Sequence, residues 1–579
     1  MLDTQFPPDK CSRPVALSRL LATLIVGACA SANLLAAAPY NSAPVPMKDD
    51  LGRVQVVINF TDGVLRNVVG ELPPPVNRTV ALGTERKFFH QPRALVLVDA
   101  YEKKYNFTRT GMTSWVGVSI TAFLTAQQIQ QVRDDALVTL VSDNQHAEFS
   151  APPPWYDFNP GYATFSWGSM AVTPHAKISG SARRVYVIDG GVAEHSNLQS
   201  VLPRKNVACG GTDPAYAATG DCASTVWAPY GDPLATYPVV GCYAHATHVA
   251  GIIAGAGALS ATYGVYSGVD VVSVNVTDAI FQYKYGAMSP LGPTSPEGNS
   301  VGWCSTSRPS FETLAYGLDY AYWDTAYNGG GQVHIANISI NPGKMGFYYD
   351  STSGNWISEA NYSKVRMLAT PGVFQNSSGN YSAYPGVFVA QSAGNLMQDA
   401  CGTNAGSLAY KPAVGYVPGG PPPNWAADAY DGIMVVGALS NDGQAATTFS
   451  DSNPPGLHDG GTNFGPCVDI WAPGNSIVSA WGDHAIWPGP PTLNSNTTSP
   501  NTRVGTTYSG SVGNGNSGWM FLSGTSMAAP HVAGVAAYLA DAYSLTTPAA
   551  IEAKIRQLSQ PYNNTLDPAG YPIRVLQSQ

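Results

Sequence analysis

The chain has 579 residues, of which 44% are apolar and only 12% are charged, and its formal net charge is −9. This length exceeds that of one small domain, and the apolar content is sufficient for a large buried core. The negative charge, together with the lack of any run of lysine and arginine in the sequence, argues against nucleic acid as a partner.

The N-terminal segment predicts export from the cell. Three basic residues precede the apolar stretch 20–38, which holds small-residue sites of the A-x-A kind. This order is typical of a signal peptide, here residues 1–38, so we expect a secreted protein. Two alternatives remain. One is a transmembrane helix, which two polar residues would interrupt, and the other is a bacterial lipobox that ends at Cys29 and would anchor the chain through a lipid.

The cysteines beyond this leader predict disulfide bonds. An even number of cysteines in an exported chain favours such bonds, and no pair has the C-x-x-C spacing of a structural zinc site. Cys209 and Cys222 flank a loop rich in glycine and aspartate, so we expect a local bridge between them. The six cysteines are Cys209, Cys222, Cys242, Cys304, Cys401 and Cys467.

A small α+β domain is predicted over residues 52–148, after a linker at 39–51. Its predicted elements are a strand at 53–58, a strand at 115–120, a helix at 126–134 and a strand at 137–141. Thr125 is well placed to cap the helix. A proline-rich stretch marks the end of this domain, so residues 149–179 are interpreted as a processing and linking segment.

Residues 180–579 predict a large α/β domain, in which a mostly parallel sheet carries helices on both faces. Continuous apolar runs of the fully buried kind alternate with helical segments, as such a sheet requires. Functional groups in these folds gather at the carboxyl ends of the strands. The predicted strands are 185–188, 333–338, 386–390 and 433–436, the helices are 247–256, 311–323, 526–542 and 548–558, and polar insertions are 279–310, 343–384 and 402–424.

Asp189 and His245 are candidate catalytic groups. Asp189 ends a buried strand, where a carboxylate can orient an imidazole and stabilise its charged form, although a turn-capping aspartate would look the same. His245 opens a helix of small residues and could serve as the base that a hydroxyl nucleophile needs. A metal pair of His245 and His248 is the rival interpretation, but the sequence has no H-E-x-x-H motif and no evident third ligand.

Ser526 lies in the run Leu522-Ser-Gly-Thr-Ser-Met-Ala-Ala-Pro-His-Val-Ala-Gly534, which opens another helix. A serine at a helix N-terminus lies near unpaired N–H groups and the positive end of the helix dipole, which suits a developing oxyanion. A plain helix cap packed against a sheet is the alternative interpretation. Three such signals in one chain are stronger than any one of them.

Together these motifs resemble the active-site motifs of the subtilisin-like (subtilase) serine proteases, nearest to the proteinase K-like members. The matching runs are Val-Ile-Asp-Gly-Gly, His-Ala-Thr-His-Val-Ala-Gly and Gly-Thr-Ser-Met-Ala-Ala-Pro-His-Val-Ala-Gly, and the similarity covers most of 180–545. Their order along the chain, Asp, His, Ser, is also that of subtilisin. The resemblance implies a serine endopeptidase that acts on polypeptides through an acyl-enzyme, with Asp189, His245 and Ser526 as its catalytic triad.

Further positions follow from the resemblance. Asn395 would donate its side-chain amide to the oxyanion, and the segment Ser339, Ile340 and Asn341 would pair with extended substrate. Two departures from the family pattern bear on rate and preference rather than on reaction type. Ala246 replaces the usual glycine after the histidine, and Asn341-Pro342 replaces the usual Gly-Gly of the substrate strand.

Residues 52–148 resemble the inhibitory propeptide of the same family, which implies a zymogen that is cut near 145–155. An unrelated α+β domain is the alternative. We expect a monomer that requires no cofactor; calcium sites are frequent in the family, but no contiguous Asp/Asn loop of the expected kind is found. Two other functions remain open: a catalytically dead homologue that binds peptide strands, and an acid peptidase of the Ser-Glu-Asp type, which His245 and Asn395 disfavour.

Overall fold

The structure is a computed structural model, and several parts of the sequence predictions lie outside the residues that it describes. The leader, the predicted Cys209–Cys222 bridge, the insertions 279–310 and 402–424, and most of the expected cleavage region are among them. Cys467 takes part in a disulfide. The described residues are 48–61, 63–66, 90–144, 148–149, 167–192, 195, 197–202, 205–207, 242–256, 264–276, 311–341, 347–350, 355–358, 361–375, 381–400, 430–449, 461–481 and 518–579.

Residues 54–143, called the N-terminal domain below, contain a four-stranded antiparallel sheet with two helices, and they belong to the same compact unit, Pro44–Gln579, as the large sheet. The strands follow the order β2-β3-β1-β4, and apolar side chains from the sheet and both helices form a core of their own. Thr125 caps the second helix through a complete capping box with Gln128, as the sequence predicts. The elements are β1 Val54–Phe60, α1 Pro92–Tyr105, β2 Arg109–Thr113, β3 Ser119–Leu124, α2 Ala126–Arg133 and β4 Val138–Asp143, with a short 3₁₀ turn at Val64–Arg66.

The predicted strand at 115–120 is wrong over its first half. Residues 115–117 form a turn, and the strand begins only at Ser119. Gly117 has a φ of 111°, which extended backbone does not use. The N–H groups of residues 114–116 bond to Asp319 from the other domain, so a long-range contact overrides the local β propensity.

The large domain contains a nine-stranded sheet in the order β22-β23-β19-β18-β17-β11-β7-β10-β8. Neighbouring strands are parallel, apart from the antiparallel β22–β23 pair at one edge. The predicted α/β class is therefore confirmed. The strands are β7 Arg184–Asp189, β8 Lys205–Asn206, β10 Asp270–Asn275, β11 His334–Ile338, β17 Val387–Ser392, β18 Ile433–Leu439, β19 Ile470–Pro473, β22 Gln560–Leu566 and β23 Pro572–Val575.

Helices cover both faces of this sheet. Successive residues of β7 point to opposite sides, so that Val185 and Val187 join one core cluster while Tyr186 and Ile188 join another. The first cluster contains the apolar faces of α4, α7 and α8, and the second contains those of α5 and α6. The helices are α3 Trp167–Ala171, α4 Cys242–Ala254, α5 Phe311–Asn328, α6 Asn361–Ala369, α7 Thr525–Ala542 and α8 Pro548–Leu558.

Short strand pairs complete the fold. The insertion 343–384 is richer in structure than the sequence suggests, because it contains α6 and two hairpins, β13–β14 and β15–β16. Among the described residues no helix is both long and apolar enough to cross a bilayer. The remaining strands are β5 Glu148–Phe149, β6 His175–Ala176, β9 Tyr266–Ser267, β12 Ile340–Asn341, β13 Phe347–Asp350, β14 Asn355–Ser358, β15 Gly372–Gln375, β16 Tyr381–Tyr384, β20 Ile477–Trp481 and β21 Gly518–Leu522.

Candidate active site

Asp189 is the last residue of β7, at the carboxyl end of a central strand, and its side chain is fully buried. Both of its carboxylate oxygens lie 3.0 Å from Nδ1 of His245, and Oδ1 also accepts a 2.6 Å bond from the Gly190 N–H. A buried carboxylate needs such partners because desolvation penalises its charge. The structure therefore brings together the two residues that the sequence predicts as acid and base.

His245 lies in the first turn of α4 and is 8% exposed. The helix begins at Cys242, five residues earlier than predicted, so the imidazole is held by regular helix on both sides. Because Asp189 accepts a bond from Nδ1, the neutral ring keeps its proton on that atom and Nε2 is the basic nitrogen. Ala246, one of the departures from the family pattern, is buried in the core beside it.

His248, the other member of the alternative metal pair, contacts the backbone of a distant strand. Its Nε2 atom lies 3.1 Å from the carbonyl oxygen of Ile477, a contact in which the ring N–H donates. Within the part of the chain that the structure describes, no group of three or more His, Cys, Asp or Glu side chains is placed to hold a metal ion.

Ser526 is the second residue of α7 and is fully buried. Its hydroxyl donates to the carbonyl oxygen of Ser339 at 2.8 Å, and the Ser339 hydroxyl donates to the carbonyl oxygen of Ser526 at 2.8 Å. Asn337 donates in turn to the Ser339 hydroxyl at 2.9 Å. This reciprocal pair joins the start of α7 to the end of β11, and no pattern in the sequence predicts it.

Asn395 follows β17 and is 3% exposed. Its Oδ1 atom accepts bonds from the N–H and the hydroxyl of Thr525, at 2.9 and 2.8 Å, whereas its Nδ2 atom has no hydrogen-bond partner among the described residues. A buried amide without a partner costs free energy and is rare in native structures. Because Thr525 donates both bonds to Oδ1, it orients the amide of Asn395. The sequence analysis missed this role of Thr525, although the residue directly precedes Ser526.

Gly524 allows the close approach of this amide to α7. Its φ is 148°, and a Cβ atom at this position would lie 3.0 Å from Nδ2 of Asn395. Any side chain here would therefore press on the unpaired amide and strain the backbone.

The segment Ser339, Ile340 and Asn341 follows directly from β11. Strand β12 pairs in antiparallel register with β5, so that Ile340 is opposite Phe149 and Asn341 is opposite Glu148. The end of the N-terminal domain thus lies along the segment for which the sequence predicts substrate pairing. Asn337, in the same strand region, is fully buried.

These side chains make a coherent chemical arrangement. An acid holds an imidazole, a serine lies in the first turn of a helix, and a buried amide N–H has no partner within the described part of the chain. The model of the subtilase family matches residues 180–571, which is more than half of the chain. The chain belongs to the subtilase family.

Relatives with known names agree with this assignment over a limited region. The chain is 31% identical over 156 residues to proteins named subtilisin-like protease 2 from Trichophyton equinum and Trichophyton tonsurans. The same degree of identity is found with the protein of that name from Trichophyton rubrum. Each match covers 25% of this chain and only 30% of the relative's length.

Two solved structures of subtilases are also similar. One is a cold-adapted subtilisin-like serine proteinase, with a TM-score of 0.39 and 20% identity, covering 72% of this chain and 99% of that one. The other is fervidolysin from Fervidobacterium pennivorans, a keratinolytic enzyme related to subtilisin. It has a TM-score of 0.47 and 17% identity, covering 94% of this chain and 64% of that one.

Proposed function

We propose that the protein is a secreted serine endopeptidase that cleaves polypeptides through an acyl-enzyme. The observation that carries this proposal is the buried Asp189–His245 pair, with both carboxylate oxygens 3.0 Å from Nδ1, in a subtilase whose Ser526 begins α7. For attack, the Ser526 hydroxyl exchanges its bond to Ser339 for one to Nε2 of His245. His245 takes the proton and later gives it to the leaving amine, while Asp189 holds the ring and stabilises the imidazolium.

Asn395 is proposed to stabilise the tetrahedral intermediate. Its Nδ2 atom is the donor that the described residues leave unpaired, and its Oδ1 atom is fixed by Thr525 at the first position of the helix that carries the nucleophile. The backbone N–H of Ser526 is the second donor. The amide is thus preorganised before charge develops, which is the condition under which such a donor lowers the barrier most. The proposed steps use side chains, one backbone N–H group and water, and we propose no cofactor for them.

Polypeptide substrates are proposed to bind as an added strand along Ser339, Ile340 and Asn341. In this binding mode main-chain hydrogen bonds supply affinity, and pockets for side chains supply preference. The antiparallel pairing of β12 with β5 supports the proposal, because it shows that this edge can accept an added strand, here the chain's own Glu148 and Phe149.

We propose further that residues 52–148 are an inhibitory propeptide and that the enzyme cleaves it away itself. The pairing that occupies β12 ends at Phe149, so we expect the cut within a few residues after it, inside the range 145–155. Export follows from the signal-peptide pattern of residues 1–38. The processed enzyme is proposed to be a monomer.

Expression of the wild type beside Ser526→Ala tests this function. We expect the wild type to lose about 150 N-terminal residues and to hydrolyse casein at neutral to alkaline pH, and Ser526→Ala to stay full length and inert. Ser523→Ala is the matched control, because that hydroxyl bonds to Asn475 and Ser476 outside the proposed reaction. If both proteins stay full length and inert, or if activity peaks at acidic pH, the proposal is wrong.

A further inference from the structure

A turn of the N-terminal domain lies against the large domain outside the site described above. The turn follows β2 and includes residues 114–116, and it packs on α5 and on the β15–β16 hairpin. Helix α5 covers the face of the large sheet opposite to α4 and α7, which carry His245 and Ser526. The contact is thus separate from the proposed catalytic residues.

A buried carboxylate of α5 holds the backbone of this turn. Asp319 is 1% exposed, and its Oδ1 atom accepts bonds from the N–H groups of Trp115 at 2.5 Å and Val116 at 2.9 Å. The N–H of Ser114 lies 3.2 Å from both oxygens. Three successive N–H groups can converge on one acceptor in a turn, whereas in a strand they alternate in direction. Asp319 therefore selects a turn rather than an extended peptide.

An aromatic pocket receives the side chain of the same turn. The Trp115 ring stacks on Tyr322 with ring centroids 6.2 Å apart. It meets the rings of Tyr327 and Phe374 edge-on, both at an interplanar angle of 77°, with centroid distances of 5.6 and 6.4 Å. Tyr384 also stacks on Tyr322, with ring centroids 3.9 Å apart, and so supports the pocket wall. Phe374 and Tyr384 come from the hairpin β15–β16, so this wall is built by the insertion 343–384.

Trp115 serves the contact rather than the core of its own domain. It is 3% exposed and belongs to the core cluster of α5 and α6, whereas the N-terminal domain has a separate cluster without it. A further polar contact lies nearby, from Nζ of Lys364 in α6 to Asn59 at 3.1 Å. A carboxylate, an ammonium group and an aromatic pocket therefore meet the N-terminal domain on one face.

We propose that this surface is a second binding site of the enzyme, which takes an exposed turn of a polypeptide substrate that presents an aromatic side chain and successive free N–H groups. The proposal rests on the proposed function, because the surface is uncovered only when the propeptide leaves. The chain's own turn at 114–116 is its occupant before processing. A protein substrate bound here and in the cleft is held at two points, which raises its effective concentration at Ser526.

The first experiment measures the site without any need for self-cleavage. A recognition sequence for a site-specific viral protease is inserted after Phe149 in the full Ser526→Ala chain, and the cut chain is diluted to measure the dissociation constant of its N-terminal piece. Trp115→Ala and Asp319→Ala are each expected to raise this constant at least about 30-fold, because one removes a buried anchor and the other leaves three N–H groups without an acceptor. Trp115→Phe is the matched control and is expected to restore most of the affinity.

Circular dichroism of the cut chains separates loss of binding from loss of folding. The N-terminal piece with Trp115→Ala should keep its signal, since its core cluster does not include that residue. If the dissociation constants of both alanine variants lie within about threefold of the parent's, the surface is no binding site and the proposal is wrong.

The second experiment asks whether the processed enzyme uses the site. Two protein substrates share one cleavage sequence, and each carries the hairpin 109–124 as an extension, either unchanged or with Trp115→Ala. We expect kcat/KM to be at least about tenfold higher for the unchanged hairpin, and this ratio to fall to one in the Asp319→Ala enzyme. Equal rates on both substrates would overturn the substrate site. A wild type that neither processes itself nor hydrolyses either substrate would refute the proposed function, while the cut-chain experiment still decides whether the surface binds the turn.

Discussion

Replacing Asn395 by aspartate removes the donor proposed for the reaction and keeps the acceptor that the fold uses. Oδ1 of Asn395 accepts two bonds from Thr525, and Nδ2 has no partner in the part of the chain that is described. A carboxylate can accept the same two bonds but donates none when ionised. We therefore expect Asn395→Asp to fold and to be nearly inactive.

The expected magnitudes differ for catalysis and for stability. Loss of one oxyanion donor costs about 2.7–4 kcal/mol of transition-state stabilisation, so kcat should fall about 10²- to 10³-fold with little change in KM. The new negative charge beside the developing oxyanion adds to this loss. Asn395→Ala, in contrast, also leaves the buried Thr525 N–H without its acceptor, which should lower the free energy of unfolding by about 1–3 kcal/mol.

We would measure kcat and KM by steady-state kinetics on a chromogenic peptide amide, after titration of the active sites. Thermal unfolding would give the stability of each variant. Gln398→Glu is a matched control, since it makes the same change from amide to carboxylate three residues further along the chain; it should keep kcat within about threefold. If Asn395→Asp keeps more than about a tenth of the wild-type kcat, Asn395 is no oxyanion donor and the reasoning from its unpaired amide is refuted.

Three further predictions follow from particular contacts. Asp189→Asn should lower kcat by about 10⁴-fold, because the amide favours the wrong imidazole tautomer, and kinetics at pH 8 on titrated sites checks it. Gly524→Ala should lower both the melting temperature and kcat, because its φ of 148° disfavours a side chain whose Cβ atom would lie 3.0 Å from Asn395; unchanged values would contradict this. Burial raises the pKa of Asp319 to about 6, although the N–H groups of residues 114–116 and, to a smaller extent, Lys364 oppose the shift. The N-terminal piece of the cut Ser526→Ala chain should thus bind less tightly as the pH rises through about 6, with no such change in Asp319→Asn.

The buried strands of the large domain are predictable from sequence because their surroundings are uniform. A strand covered on both faces favours apolar residues at successive positions, and the runs at 185–188 and 433–436 show this pattern. The strand β10 was not predicted, although its run has polar residues at Ser273 and Asn275 much as β11 has at His334 and Asn337. The sequence also locates Asp189 correctly at the end of its strand.

Features that depend on distant contacts could not be predicted. The turn at 115–117 exists because Asp319 lies more than 200 residues further along the chain and accepts its N–H groups. The bonds between Ser526 and Ser339, and those between Thr525 and Asn395, likewise join segments far apart in sequence. Composition and periodicity report local preference and burial, and they contain no information on which distant group completes a hydrogen bond.

Covalent labelling with a fluorophosphonate tests the central claim most directly, since this reagent reacts with a serine only when a base activates it. Peptide mapping of the labelled wild type should place the phosphonate on Ser526 alone, and His245→Ala should abolish the label while Ser523→Ala keeps it. A label on another serine, or a label on Ser526 that persists in His245→Ala, would contradict the proposed triad.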